Sequence, residues 1–192
     1  MAVFIIAFWA GTIMQIIIRT PFALRSRPRK KSEQHVSRTE NILLVLLTIA
    51  AGILPLIYSL TNWLDFANYT LPVWMGWAGI FILLSSLLVF WRAHADLGAN
   101  WSPSLELYEG HTLITRGIYR YIRHPMYASQ LLWGIAQVLL IQNWIAGPGS
   151  LLLFVPFYIL RSSAEERMMI EKFGDEYREY KKTTGGILPK LS

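Results

Sequence analysis

The sequence predicts an all-α integral membrane protein with about five transmembrane helices and a C-terminal amphipathic helix on the cytoplasmic side. Three observations carry this. Hydrophobic residues make up 54% of the 192 residues and charged residues only 16%, less charge than a soluble domain of this length usually bears. The apolar residues come in long uninterrupted runs. The 18 lysines and arginines fall in the gaps between those runs.

Residues 3–18 are apolar apart from Thr12 and Gln15 and stop at Arg19-Thr20-Pro21, a marginal length against the roughly 20 residues of a span. No basic n-region or small-residue cleavage site is evident, so this segment reads as a retained helix. Residues 25–38 form a basic connection. Residues 41–60 are the second span, which Pro55 should kink, a break that neighbouring helices can tolerate. Residues 61–71 are a turn with Trp63 and Tyr69 as interfacial anchors. Residues 72–91 are the third span, with Pro72 near its first turn. A long polar segment, residues 92–124, follows. Residues 127–141 and 150–160 are shorter apolar segments, each marginal as an independent span, and they should form an antiparallel hairpin with Pro156 bending its second arm. Residues 163–182 carry Met168, Met169, Phe173, Tyr177 and Tyr180 against a charged face, the pattern of a helix lying at a surface. Gly185-Gly186 ends it.

This layout puts every lysine and arginine on one side and leaves the turns at 61–71 and 142–149 with none. The positive-inside effect makes the basic side cytoplasmic and the N-terminus external. It also explains the net charge of +6 without nucleic acid as a partner.

Chemistry concentrates in Arg116-Gly-Ile-Tyr-Arg-Tyr-Ile-Arg-His-Pro-Met-Tyr127. Pro125 lacks an N–H and restricts the residue before it, so His124 should be non-helical and a helix should start at Pro125. A helix N-terminus favours a carboxylate or phosphate, and Arg123, His124 and Tyr127 would ring it. An arginine-rich interfacial anchor explains this stretch equally well. Arg161 and Glu165 share a helix face four residues apart; a charge at membrane depth costs roughly 2.5–3.5 kcal/mol and is paired, snorkelling or functional. Glu166 reads as an ordinary helix-end charge. Gly11, Gly52, Gly76 and Gly79 read as close helix-packing points.

The absence of cysteine excludes disulfides, thiolate metal sites and a cysteine nucleophile. His35 and His94 have no partners at ligand spacing, and no HExxH, glycine-rich dinucleotide loop, P-loop or nucleophile elbow is present. No metal is expected.

Taken in order, Gly110-His111-Thr-Leu-Ile114, Gly117-Ile-Tyr119, Arg123-His-Pro-Met-Tyr127, Arg161, Ala164-Glu165-Glu166 and Phe173-Gly-Asp-Glu-Tyr-Arg-Glu-Tyr180 resemble the isoprenylcysteine carboxyl methyltransferases over about residues 97–189. The first three spans match nothing specific. The resemblance implies S-adenosylmethionine as methyl donor in a non-Rossmann pocket, and a prenylcysteine-like carboxylate that enters from the bilayer and leaves as a methyl ester. By motif, His111, Leu113, Ile114 and Tyr119 would contact the donor, His124, Pro125 and Tyr127 would surround its amino-acid end, and Glu165 would close the pocket. Ser104 occupies a less constant contact position. Arg161 would orient the acceptor carboxylate. Residues 1–192 would then form a single membrane domain, with three helices in 1–91 and the cofactor-binding, catalytic half in 92–192. Membrane lipids would surround the helices. Methylation of a phospholipid amine or a thiol, a sterol-type reductase and a non-catalytic membrane partner are the alternatives.

Overall fold

The computed structural model describes residues 2–26, 38–101 and 112–190; Ser104 and His111 lie outside the described residues. The helices are α1 (Ala2–Ser26), α2 (Arg38–Thr48), α3 (Leu54–Leu60), α4 (Val73–Leu97), α5 (Pro125–Leu140), α6 (Gly149–Phe173) and α7 (Asp175–Thr183). A π-helical turn, Ile49–Ile53, joins α2 to α3. Among the described residues, Ala2–Arg25, Arg38–Leu60 and Val73–Leu97 are long and apolar enough to cross a membrane. Protein covers only 17%, 11% and 28% of their most apolar windows. Ile6, Ile17, Phe81 and Leu84 point outward and exposed, an arrangement suited to lipid and not to water. The chain is an integral membrane protein.

The first span is longer than its apolar run suggests. α1 continues through Pro21 to Ser26, about 37 Å at 1.5 Å per residue. Pro21 has no N–H to give the Ile17 carbonyl, and the helix continues through it; one residue earlier the Thr20 hydroxyl donates to the Ile16 carbonyl at 2.7 Å. α4 likewise runs past Trp91 to Leu97, which extends the wall that carries His94 and Asp96.

At Pro55 the second span forms a π turn. The Leu54 N–H reaches back to the Ile49 carbonyl, so the Ala50 carbonyl loses its α-helical donor. Its next possible donor would be residue 55, which is proline. Gln137 of α5 fills the gap: its Nε2 donates to Ala50 O at 2.8 Å and to Ala146 O at 2.7 Å. The Ser150 hydroxyl donates to Gln137 Oε1 at 2.8 Å. One buried amide thus ties the second span to both arms of the α5–α6 hairpin.

The core lies where α1, α4 and α5 meet, around Phe4, Phe8, Leu83, Trp133 and Leu140. A Cβ on Gly76 would stand 2.3 Å from the Phe4 ring, and one on Gly79 would stand 2.9 Å from Leu139. Gly11 approaches Leu83 in the same way, as its spacing suggests. Gly52 does not: nothing lies within 4 Å of its added Cβ, because it faces away from the bundle on the π turn. At the end of the bundle without lysine or arginine, the Asn143 side chain joins the two turns, donating to Leu64 O at 2.6 Å and accepting from Ile145 N and Ala146 N at 3.0 Å.

The last helix also differs from expectation. The segment 163–182 is not one surface helix, because Gly174 takes φ +55° and separates α6 from α7. The apolar residues turn inward as a result: Tyr177 and Tyr180 are buried, and the Tyr180 hydroxyl donates to the Tyr119 carbonyl.

Gln137→Leu should lower the thermal midpoint in detergent by several degrees, since each carbonyl left without its donor costs about 1–3 kcal/mol. An unchanged midpoint would show that the amide does not hold the π turn.

Candidate functional site

Where α4, α5, α6 and α7 converge, the sequence builds a socket from local rules. Asp96 near the end of α4 accepts the Ile118 N–H at 2.7 Å and so fixes the 3-10 turn Gly117–Arg120. Gly117 is required there on two counts: its φ is +62°, and a Cβ would fall 2.2 Å from Asp96 Oδ2. The turn seats Tyr119, whose hydroxyl donates to Ala93 O at 3.3 Å. Arg123 N and His124 N then donate to Gly185 O and Gly186 O at 2.8 and 3.1 Å, so the tail after α7 straps the strand-like approach to α5. His124 is non-helical and α5 begins at Pro125, as the proline dictates.

A cavity of about 610 Å³ opens beside this socket, within the usual range for small-molecule sites. Leu113, Ile114, Tyr119, His124, Pro125, Tyr127, Arg161 and Glu165 all line it. Each described residue singled out in the sequence therefore faces one space, although they come from four separate segments. Asn100 and Thr112 clasp each other at 3.2 Å at the same rim.

One wall of the cavity is polar. His124 is buried, with Nε2 3.2 Å from Glu166 Oε1 and Nδ1 3.8 Å from Glu165 Oε2; among the described residues its Nδ1 makes no hydrogen bond. Tyr127 lies beside Glu165 and Arg161 on the same wall. The pairing of Arg161 departs from the simple i,i+4 expectation: its ion pair is with Glu40 at the start of α2. The first two spans add Ile16, Leu44, Leu47 and Ala51 to the lining, together with the polar Gln15, Arg19 and Thr48.

Glu166 is no ordinary surface charge. It accepts from Arg123 Nη2 at 2.9 Å, from His124, and from Lys181, joining α6 to α5 and α7. The His124 hydrogen bond, with those from Lys181 and Arg123, holds its carboxyl well below the usual carboxylate range, although burial opposes this. Nothing in its spacing marks this role, because its partners lie 15 and 43 residues away.

Sequence reasoning also missed Glu40, His94 and Trp101. His94 Nδ1 lies 2.8 Å from the Phe90 carbonyl, which can only accept, so the proton sits on Nδ1. Among the described residues its Nε2 and Trp101 Nε1 are buried without a hydrogen-bond partner, and the two tilted rings lie 5.1 Å apart on the cavity wall. A histidine at the end of an apolar helix carries no sequence signal for such a position.

The fold and this site define a helical membrane protein with a half-polar, half-apolar pocket at the basic end of the bundle. Comparison with known proteins narrows that class. Residues 77–171 match the isoprenylcysteine carboxyl methyltransferase (ICMT) family. The human protein-S-isoprenylcysteine O-methyltransferase is 31% identical over 140 residues, which cover 68% of this chain and 49% of that protein. The Schizosaccharomyces pombe enzyme of the same name is 33% identical over 81 residues, covering 42% and 34%. The solved structure of the eukaryotic intramembrane Ras methyltransferase ICMT aligns with a TM-score of 0.54 at 21% identity, covering 81% of this chain and 54% of that one. The region 77–171 belongs to this family, and the family's membrane fold extends over most of the chain. The chain spans about half the length of the human relative.

A carboxyl whose pKa is depressed by folding adds stability that is fully present above its unfolded value and is lost as pH falls through the folded one. Glu166→Gln should therefore lower the thermal midpoint at neutral pH, and the gap to the native protein should close as pH falls below the ordinary carboxylate value of 4.5. A gap that is constant from pH 7 to pH 3 would contradict the network.

Proposed function

We propose that this chain is an S-adenosylmethionine-dependent methyltransferase that esterifies the α-carboxylate of a prenylated cysteine or a similar lipophilic acid. The observation that carries this reading is the pairing of Arg161 with a mixed cavity. A guanidinium suited to a carboxylate stands among polar groups suited to a charged donor and apolar groups suited to a lipid tail. The family match of residues 77–171 supports it.

The cavity suits the donor. Its volume, the unpartnered His124 Nδ1 and the flanking Glu165 carboxylate offer complementary groups to an amino-acid end and a sulfonium charge. Leu113, Ile114 and Tyr119 supply apolar and aromatic surface, with Pro125 and Tyr127 at the foot of α5. Ser104 and His111 are assigned by motif alone. The bound donor would supply an already activated methyl group. A carboxylate acceptor needs no general base, so the residues act by alignment, which can contribute roughly 7–11 kcal/mol. His124 and Glu165 hold the donor's charged end, Arg161 turns the acceptor carboxylate toward it, and Tyr127 keeps the two sides in register. The acceptor enters from lipid past the first two spans.

The same reading treats the chain as one membrane domain crossing about five times, with the N-terminus outside and this site cytoplasmic. It takes residues 127–141 and 150–160, within α5 and α6, as the last two crossings.

Arg161→Ala should reduce ester formation at least a hundredfold while the donor Kd, measured by calorimetry, changes less than threefold. His124→Ala should instead weaken donor binding about tenfold or more, as expected for a group assigned to the donor. Equal loss of both quantities in both variants would refute the division of roles. Retained donor binding in Arg161→Ala also shows that the protein folds without the Arg161–Glu40 pair.

A further inference from the structure

We propose that Glu40 is a positioning residue that sets how firmly Arg161 grips the acceptor; the inference rests on the reading of Arg161 just given. Glu40 is 5% exposed in the first turn of α2, and its carboxylate accepts from Arg161 Nη1. Arg161 lines the cavity, whereas Glu40 is not among the lining residues. The carboxylate thus holds the guanidinium from outside the cavity lining. Phe157, 5.9 Å from the guanidinium carbon, and the Tyr127 hydroxyl complete its surroundings. A guanidinium has five N–H donors in a rigid fork. Glu40 engages part of that fork and leaves donors for a second carboxylate.

The chemistry gives the Glu40 carboxylate a task. The acceptor carboxylate provides the electron pair that forms the new O–C bond, the donor's S–C bond breaks with its pair going to sulfur, and the acceptor ends as a neutral ester. The acceptor thus loses its charge on the way to the transition state. A full guanidinium field stabilises the bound acceptor more than that transition state, which strengthens binding at the expense of turnover. Glu40 offsets part of the field while it fixes the orientation of Arg161. Stability alone is a weak reason for such a contact, because a buried ion pair often contributes no more than well-packed apolar residues would.

The full-length protein in detergent supplies the test, with N-acetyl-S-farnesylcysteine as probe. Its affinity is measured by calorimetry without donor, and its esterification is measured separately. Glu40→Gln keeps an oxygen for Arg161 and removes the charge. It should bind the probe about fivefold more tightly and lower kcat and KM together, the pattern of over-stabilised ground-state binding. Glu40→Ala also removes the orientation and should bind the probe about tenfold more weakly. Donor affinity, unchanged in both, reports that the variants fold. Probe affinity and kcat within twofold of native in Glu40→Gln would overturn the proposal. Equal weakening in both variants would also overturn it and reduce Glu40 to a strut between α2 and α6. A native protein that binds donor but neither binds nor esterifies the probe would instead refute the underlying reading of Arg161.

Discussion

A charge at the edge of the hydrocarbon must be answered by another charge, and the site is organised around that constraint. Glu40, Arg161, Tyr127, Glu165, His124 and Glu166 form a polar chain from α2 across α6 and α5, and Arg123 and Lys181 close it. Three carboxylates face three cations. Desolvating any one of these ions without its partner would cost several kcal/mol, so the helices can meet here only in an arrangement that pairs them. The same pairing leaves a guanidinium, a hydroxyl and an imidazole nitrogen on the wall of a cavity.

The remaining scaffold keeps that chain in register. Asp96 and Gly117 fix the turn that carries Tyr119, and the Tyr180 hydroxyl bonds to the carbonyl of the same residue. Gln137 serves the distant half of the bundle by taking up the carbonyl freed by the π turn before Pro55. α2 packs alongside α6, where Glu40 meets Arg161. Within lipid, packing and satisfied polar groups hold helices together, because apolar contact alone gives little advantage over the surrounding tails.

Much of this was legible in the sequence, for identifiable reasons. Hydropathy and the confinement of lysine and arginine to the gaps marked the long spans, because every backbone group in lipid must be bonded within its own helix. Pro125 announced both the start of α5 and the non-helical His124. The motif residues Leu113, Ile114, Tyr119, His124, Tyr127, Arg161 and Glu165 do share one cavity. Residues whose importance comes from distant partners were not legible. Glu40 lies 121 positions from Arg161, and Glu166 is distinguished from a solvated glutamate only by what folds against it. His94 and Trp101 gain their places from stacking across α4 and the turn after it. The inward turn of Tyr177 and Tyr180 depends on a left-handed Gly174, which helical periodicity does not anticipate.

The proposed function is one act of chemistry at the rim of a membrane bundle. Purified protein incubated with S-adenosylmethionine labelled at the methyl group, and with matched lipophilic acceptors bearing a carboxylate, an amine or a thiol, measures it most directly. The account predicts label transferred to the carboxylate as a base-labile ester. It also predicts a rate that is flat across neutral pH, because that nucleophile has no proton to lose. Label on the amine or thiol with a rate rising with pH, or no transfer to any acceptor, would contradict it.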